Sequence, residues 1–111
     1  MNLKEINKIV TYNLNIPEGS SDDEILKTLY DRTLSKQITW GYIDDFCSTQ
    51  PRYKYGDFWL YLSDKSGEQL VYLQMEYNDT VIYRLVSSVY FPYSTIHQLY
   101  NEVDEQQKLR V

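Results

Sequence analysis

The sequence predicts an α+β fold, an antiparallel sheet of four to five strands with two helices before it and one after it. Three observations predict it. Apolar residues recur every three or four positions near both ends, they alternate with polar ones through the middle, and proline- or glycine-containing punctuation separates the segments. With 111 residues, 42% of them apolar, the chain has room for one domain, 1–111, and one core.

Leu3, Ile6, Val10 and Leu14, with Ile9 beside them, put one apolar stripe on a helix over 2–14. Ile16-Pro17-Glu18-Gly19 ends it, because Pro17 disfavours helix at the residue before it and Gly19 frees the backbone. Ser21-Asp22-Asp23-Glu24 is a capping box that opens a second helix, with its acids at the positive end of the helix dipole. Ile25, Leu26, Leu29 and Tyr30 supply its buried face.

From Lys36 the period changes to two. Ile38, Trp40 and Tyr42 alternate with Thr39, Gly41 and Ile43, which predicts a strand, and 48–56, containing Gln50-Pro51-Arg52, reads as a loop. Segments 57–63, 68–77 and 81–89 read as three antiparallel strands. A four-residue turn, Asp64-Lys65-Ser66-Gly67, would pair Trp59 with Tyr72 and Leu60 with Val71. One face then collects Phe58, Leu60, Leu62, Val71, Leu73, Met75 and Tyr77. The other collects Asp57, Trp59, Tyr61, Glu68, Leu70, Tyr72, Gln74 and Glu76.

The next turn sets a register. A two-residue Asn78-Asp79 loop would place Arg84 on the apolar face, opposite Leu73. A three-residue loop that includes Thr80 places Val81, Tyr83 and Leu85 on the apolar face instead, and is predicted because an unpaired buried guanidinium is costly. Pro92 breaks the sheet, and Ser94 or Thr95 caps a last helix that buries Ile96, Leu99, Tyr100 and Val103.

Sixteen acidic against eleven basic residues leave a net charge of −5. That balance opposes direct binding to nucleic acid or an anionic membrane and favours a basic partner, and it also keeps a protein soluble. Cys47 has no internal disulfide partner, which fits a reducing, cytoplasmic compartment. Its acidic flank, Asp44-Asp45-Phe46, would raise the thiol pKa and suits a structural cysteine. The N-terminus lacks an apolar signal core, and no stretch reaches transmembrane length.

Nucleotide-binding, zinc-protease, serine-hydrolase and paired-cysteine motifs are all missing, and His97 is the single histidine. No catalytic residue, metal ligand or cofactor is expected, and the chain reads as a binding protein. Two features point to the binding surface. The stretch 18–24 holds Glu18, Asp22, Asp23 and Glu24 with no basic residue, and capping explains all but Glu18. Trp59, Tyr61 and Tyr72 share a sheet face that either meets a protein partner or lies under the last helix.

In order and spacing over most of its length the chain resembles the staphylococcal type of uracil-DNA glycosylase inhibitor, a family of small acidic DNA mimics. The shared features are a first helix running into Asn15-Ile16-Pro17 and an acidic stretch before a capped helix with Ser21, Glu24 and Ile25. An aromatic strand-turn-strand (58–62, 70–73), a polar turn at Asn78-Asp79 and a strand over 81–85 follow. The resemblance implies that carboxylates occupy the glycosylase's basic DNA-binding groove in place of phosphates: Glu18, the key acid, with Asp22, Asp23, Glu24 and Asp79. Ser20, Ser21 and Asn78 would add polar contacts, and Ile25, Leu29, Met75 and Tyr83 an apolar pocket for an enzyme side chain. The chain departs from the family in a shorter segment between Pro17 and Ser21, a shorter turn at Asn78-Asp79 without its histidine, and a longer C-terminal helix.

Other partners fit the same acidity: a different DNA-binding protein, such as a restriction or CRISPR nuclease blocked by a phage-type mimic, or a basic toxin bound by an immunity protein. A dimerising scaffold and a small enzyme built on Cys47 and His97 are the remaining readings.

Overall fold

In a computed structural model, residues 1–43, 52–65, 68–88 and 94–108 are described. Helix α1 (Leu3–Leu14) starts at Asn2, whose Oδ1 accepts the Glu5 N–H at 2.9 Å. It stops two residues before Pro17, at Asn15, whose left-handed backbone (φ 55°, ψ 47°) turns its N–H back onto the carbonyls of Thr11 and Tyr12. Helix α2 (Asp22–Leu34) carries the complete capping box. Ser21 Oγ accepts the Glu24 N–H at 3.2 Å and Glu24 Oε1 accepts the Ser21 N–H at 3.3 Å. Helix α3 (Thr95–Lys108) is capped by Ser94, whose Oγ accepts the His97 N–H at 3.3 Å. Each such cap stabilises its helix by about 1 kcal/mol.

The sheet is a five-stranded antiparallel meander of β1 (Gly41–Ile43), β2 (Arg52–Tyr55), β3 (Phe58–Lys65), β4 (Glu68–Tyr77) and β5 (Thr80–Ser88), in that order. Four details differ from the sequence reading. Strand β2 lies where a loop was expected. Its Arg-Tyr-Lys-Tyr alternation is short and flanked by Pro51 and Gly56, yet it puts Tyr53 into the core at 2% exposure. The strand read from Ile38 begins only at Gly41; Ile38 and Trp40 are buried, whereas Tyr42 of the same alternating set is exposed.

The third difference is the β3–β4 register. Leu60 pairs with Leu73 and Trp59 with Gln74, and the ladder runs on to Lys65 and Glu68, two residues beyond the expected end. A shift of two leaves every side chain on its face, so the expected faces survive the wrong pairing.

Fourth, the β4–β5 turn has two residues rather than three. Asn78 (φ 52°) and Asp79 (φ 61°) both adopt left-handed backbone, the requirement of the mirror-image turn that suits twisted strands, and Tyr77 pairs with Thr80. A bulge between Met75 and Glu76 then absorbs the register. Beyond it Met75 meets Tyr83, Leu73 meets Leu85 and Arg84 sits opposite Gln74. Arg84 escapes burial, as the charge argument required, but through a bulge in the ladder rather than a longer loop. Val81 pairs with Glu76 and is 40% exposed, Tyr77 is 44% exposed, and Ile82 packs against the core instead.

Leu60, Val71, Leu73 and Met75 on one sheet face close with Val10, Ile25, Leu29 and Leu99 into a single core, each at 0% exposure. The last helix lies on this face. The ring of Tyr53, the cross-strand partner of Leu60, sits 5.9 Å from that of Tyr100, and its hydroxyl donates to Asp104 Oδ1 at 2.7 Å. A buried polar chain ties α3 to the end of α2. Trp40 Nε1 donates to Thr33 Oγ1 at 3.0 Å, Gln106 Nε2 donates to the Thr33 carbonyl at 2.8 Å, and Gln107 Nε2 donates to the Trp40 carbonyl.

Burial raises the phenol pKa of Tyr53, Tyr83 and Tyr100, with nearby carboxylates adding to the shift, and Tyr100 is pushed to about 12. A phenol whose pKa is higher folded than unfolded contributes stability that is complete below its ordinary value near 10 and is lost as pH rises through the folded value. The melting temperature is therefore expected to hold up to about pH 10 and to fall steeply toward pH 12 and above. In Tyr53→Phe that alkaline fall should be shallower, which melting curves across the pH series would show.

Ser66 and Gly67 of the expected turn, the Asp44-Asp45 pair, Cys47, positions 48–51 of the expected loop, Val89 and Pro92, expected to break the sheet, lie outside the described residues.

Candidate functional site

The connection between α1 and α2 is short and held from both sides. Residues 17–20 form a tight turn in which the Ser20 N–H reaches the Pro17 carbonyl at 3.2 Å, with Gly19 at φ +90°. Glu18 stands exposed in the middle of that turn. Asn7, a polar position of α1 that sequence reading passed over, grips the turn's backbone. Its Oδ1 accepts the Gly19 N–H at 2.7 Å and its Nδ2 donates to the Ser20 carbonyl at 2.9 Å. The available signal was a lone Asn on the inner edge of the α1 stripe, indistinguishable in sequence from a solvated one. Asn7→Ala removes both contacts and is expected to cost about 1–2 kcal/mol, measured as a lower urea midpoint, and to expose the Gly19 amide to faster hydrogen exchange.

The acids divide by what holds them. Glu24 Oε1 accepts from the Ser21 N–H and, at 3.1 Å, from the Ser21 hydroxyl, so this carboxylate completes the cap. Asp22 Oδ1 accepts from the Tyr83 hydroxyl at 2.8 Å, which joins the start of α2 to β5. Burial, reinforced by that carboxylate, holds the Tyr83 phenol well above the ordinary range, so it stays a donor. Glu18 and Asp23 are exposed and have no hydrogen-bond or ion-pair partner among the described residues. Asp79 and Asn78 are exposed at the tip of the β4–β5 hairpin. Ser21 is an exposed cap, whereas Ser20 is 7% exposed and its hydroxyl donates to the Pro17 carbonyl at 2.6 Å.

Beside the start of α2 lies an open cleft of about 500 Å³. Leu3 and Ile6 of α1 wall one side, Tyr83 and Leu85 of β5 the other, and Ser21 and Asp22 stand at its rim. A second opening next to it is bounded by Leu3, Lys4 and Glu18. Leu3 is 85% exposed, an apolar residue that folding leaves in water. Of the four residues read as an apolar pocket, Tyr83 lines this cleft. Ile25, Leu29 and Met75 are each 0% exposed inside the core beneath it. The cleft instead draws its apolar surface from α1 and β5, a pairing that no local pattern announces.

The other face of the sheet carries the expected aromatic residues, and α3 is not on it. Tyr61 and Tyr72, directly opposite each other on β3 and β4, stack at 5.1 Å with planes 15° apart. The guanidinium of Arg52 lies 4.7 Å from the Tyr61 ring centre and that of Arg84 5.3 Å from Tyr72. Lys54 Nζ is 5.0 Å from the ring centre of Trp59. Each cation–ring contact is worth about 0.5–1 kcal/mol at a surface. Gln74, 6% exposed, organises the group. Its Oε1 accepts from Tyr61 Oη at 2.9 Å and from Arg84 Nη2 and Nε at 2.9 and 3.2 Å.

Among the described residues no group of three or more histidine, cysteine or acidic side chains could hold a metal ion, and no helix is long and apolar enough to cross a membrane. His97 Nδ1 faces the side-chain amide of Asn101 one turn along its own helix, at 3.1 Å. Comparison of the chain with protein-family models, with curated proteins and with solved structures found no match.

Proposed function

We infer that this chain is a protein inhibitor that occupies the basic DNA-binding groove of a uracil-DNA glycosylase, presenting carboxylates where the enzyme expects phosphates. The observation that carries the reading is the juxtaposition at the start of α2. Asp22, anchored by Tyr83, rims an open cleft with an apolar wall, Glu18 borders the opening beside it, and Asp23 stands exposed and unpartnered next to Asp22 in the first turn of α2. Rim carboxylates facing lysine and arginine raise the association rate and exclude wrong partners, while an apolar side chain seated in the cleft would slow dissociation. The helix dipole adds nothing to this attraction, because its positive end is already met by the acids of the first turn.

The resemblance in element order supports the choice of a glycosylase over other basic partners. The test is a uracil-excision assay with a bacterial glycosylase, a uracil-containing oligonucleotide and a titration of this protein. Loss of cleavage at a one-to-one ratio is the expected result. Full activity at large excess would overturn the glycosylase reading and direct the search to other proteins with basic DNA-binding surfaces.

A further inference from the structure

We propose, resting on the reading of the α2 start as a surface for a basic partner, that Asn7 is a positioning residue of that surface. Its side chain holds Glu18 apart from Lys4 and so leaves the Glu18 carboxylate open to the partner. Lys4 and Glu18 border the same opening, of about 620 Å³, together with Leu3, Asn7 and Gly19. Opposite charges on one opening attract, yet both side chains are exposed and neither has a hydrogen-bond or ion-pair partner among the described residues.

The backbone between them accounts for the separation. The Gly19 N–H belongs to the rigid peptide plane that leaves Glu18, and it donates to Asn7 Oδ1 at 2.7 Å. On the far side of Gly19, Asn7 Nδ2 donates to the Ser20 carbonyl at 2.9 Å. The remaining bonds of the turn close it only on itself, since the Ser20 N–H and hydroxyl both reach the Pro17 carbonyl. Among the described residues, the two Asn7 bonds are the hydrogen bonds that tie residues 18–20 to the helix carrying Lys4. Gly19, at φ +90°, has the conformational freedom to let the turn swing once they are gone. Two hydrogen bonds outweigh one ion pair between exposed side chains, so Glu18 stays unpaired while Asn7 holds. A Glu18 carboxylate paired with Lys4 would present no net charge to a lysine or arginine of the partner, and its share of the steering would be lost.

The test has an arm without a partner and an arm with one. A water-soluble carbodiimide joins a lysine amine to a carboxylate where the two touch, and peptide mass spectrometry measures the Lys4–Glu18 product. Its yield is expected to be about threefold higher in Asn7→Ala than in the parent, because an exposed ion pair forms only part of the time. Equal yields would overturn the proposal. In the uracil-excision assay at low salt, Asn7→Ala is expected to slow the onset of inhibition about two- to threefold, the effect of one lost unit charge. In a Lys4→Gln background the same substitution should change the onset by less than about 1.5-fold, because the competing cation is gone. Equal slowing in both backgrounds would also overturn the proposal, since a residue that merely braces the fold acts regardless of Lys4. If the parent protein leaves the glycosylase fully active, the glycosylase reading falls, and the cross-link yields still decide whether Asn7 keeps Glu18 from Lys4.

Discussion

Leu29→Gln is expected to lose about 3–5 kcal/mol of folding stability. Leu29 is 0% exposed in the core formed by the two N-terminal helices and the sheet. Removing its apolar side chain from that site forfeits about 1.5–3 kcal/mol of burial. The amide put in its place meets carbon rather than donors and acceptors, which costs about 1–3 kcal/mol more. Against a total stability of about 5–15 kcal/mol for a domain, the urea midpoint should fall by a third or more. Leu29→Met, which conserves volume, should cost less than about 1.5 kcal/mol. A Gln variant with an unchanged midpoint would mean that this position is not in the core. The position also shows how a resemblance can mislead a mutagenesis plan. Read as pocket lining, Leu29 would report on partner dissociation, but at its place in this fold it reports on folding. Tyr83, by contrast, lines the cleft itself.

The double charge reversal Glu18→Lys, Asp23→Lys is expected to slow the onset of glycosylase inhibition by about ten- to a hundredfold at low salt, because electrostatic steering supplies that range in association rates. Both carboxylates are exposed and unpartnered among the described residues, so folding should change by less than about 1 kcal/mol, mostly from the lost acid in the first turn of α2. The gap between parent and variant should shrink as salt rises, since the screening length drops to about 8 Å at physiological ionic strength. Stopped-flow measurement of the approach to inhibition at several salt concentrations provides the check. Equal onset rates at low salt would remove these two acids from the docking surface, even if inhibition itself persists. Glu24 is the wrong residue for this test, because its carboxylate caps α2 and a loss there mixes folding with binding.

Local chemistry made much of the fold legible. The Ser21 capping box, the stripes of α1 and α3, and the inward set Phe58, Leu60, Val71, Leu73 and Met75 each follow from interactions within a few residues or from the two-residue period of a strand. Strand β2 was missed because Arg52-Tyr53-Lys54-Tyr55 holds no aliphatic residue. What makes it a strand is the pairing of Tyr53 with Leu60 and the bond from its hydroxyl to Asp104, fifty-one positions away. The β3–β4 register was misjudged for a related reason. Apolar faces distinguish odd shifts from even ones but cannot tell a shift of zero from one of two, and the ladder's continuation to Lys65 and Glu68 makes that choice.

The candidate site divides along the same line. The acids at the start of α2 could be read from the sequence, because helix capping is local. The cleft that Asp22 rims could not, since its walls come from residues 3–6 and 82–85 and meet only when α1 lies against the edge of the sheet. The same holds for the cation–aromatic face, where the sequence placed Trp59, Tyr61 and Tyr72 together but left open whether the last helix covers them. By itself the sequence determined the fold class, the helix starts and the side of the sheet on which each of these side chains lies. Tertiary structure alone decided that α3 packs on the opposite face, that a bulge carries Arg84 out of the core, and that Asp22 is tied to Tyr83. Capping and alternation are set by neighbours in the chain, whereas packing side, register and cross-element hydrogen bonds depend on the competition among all elements for one core.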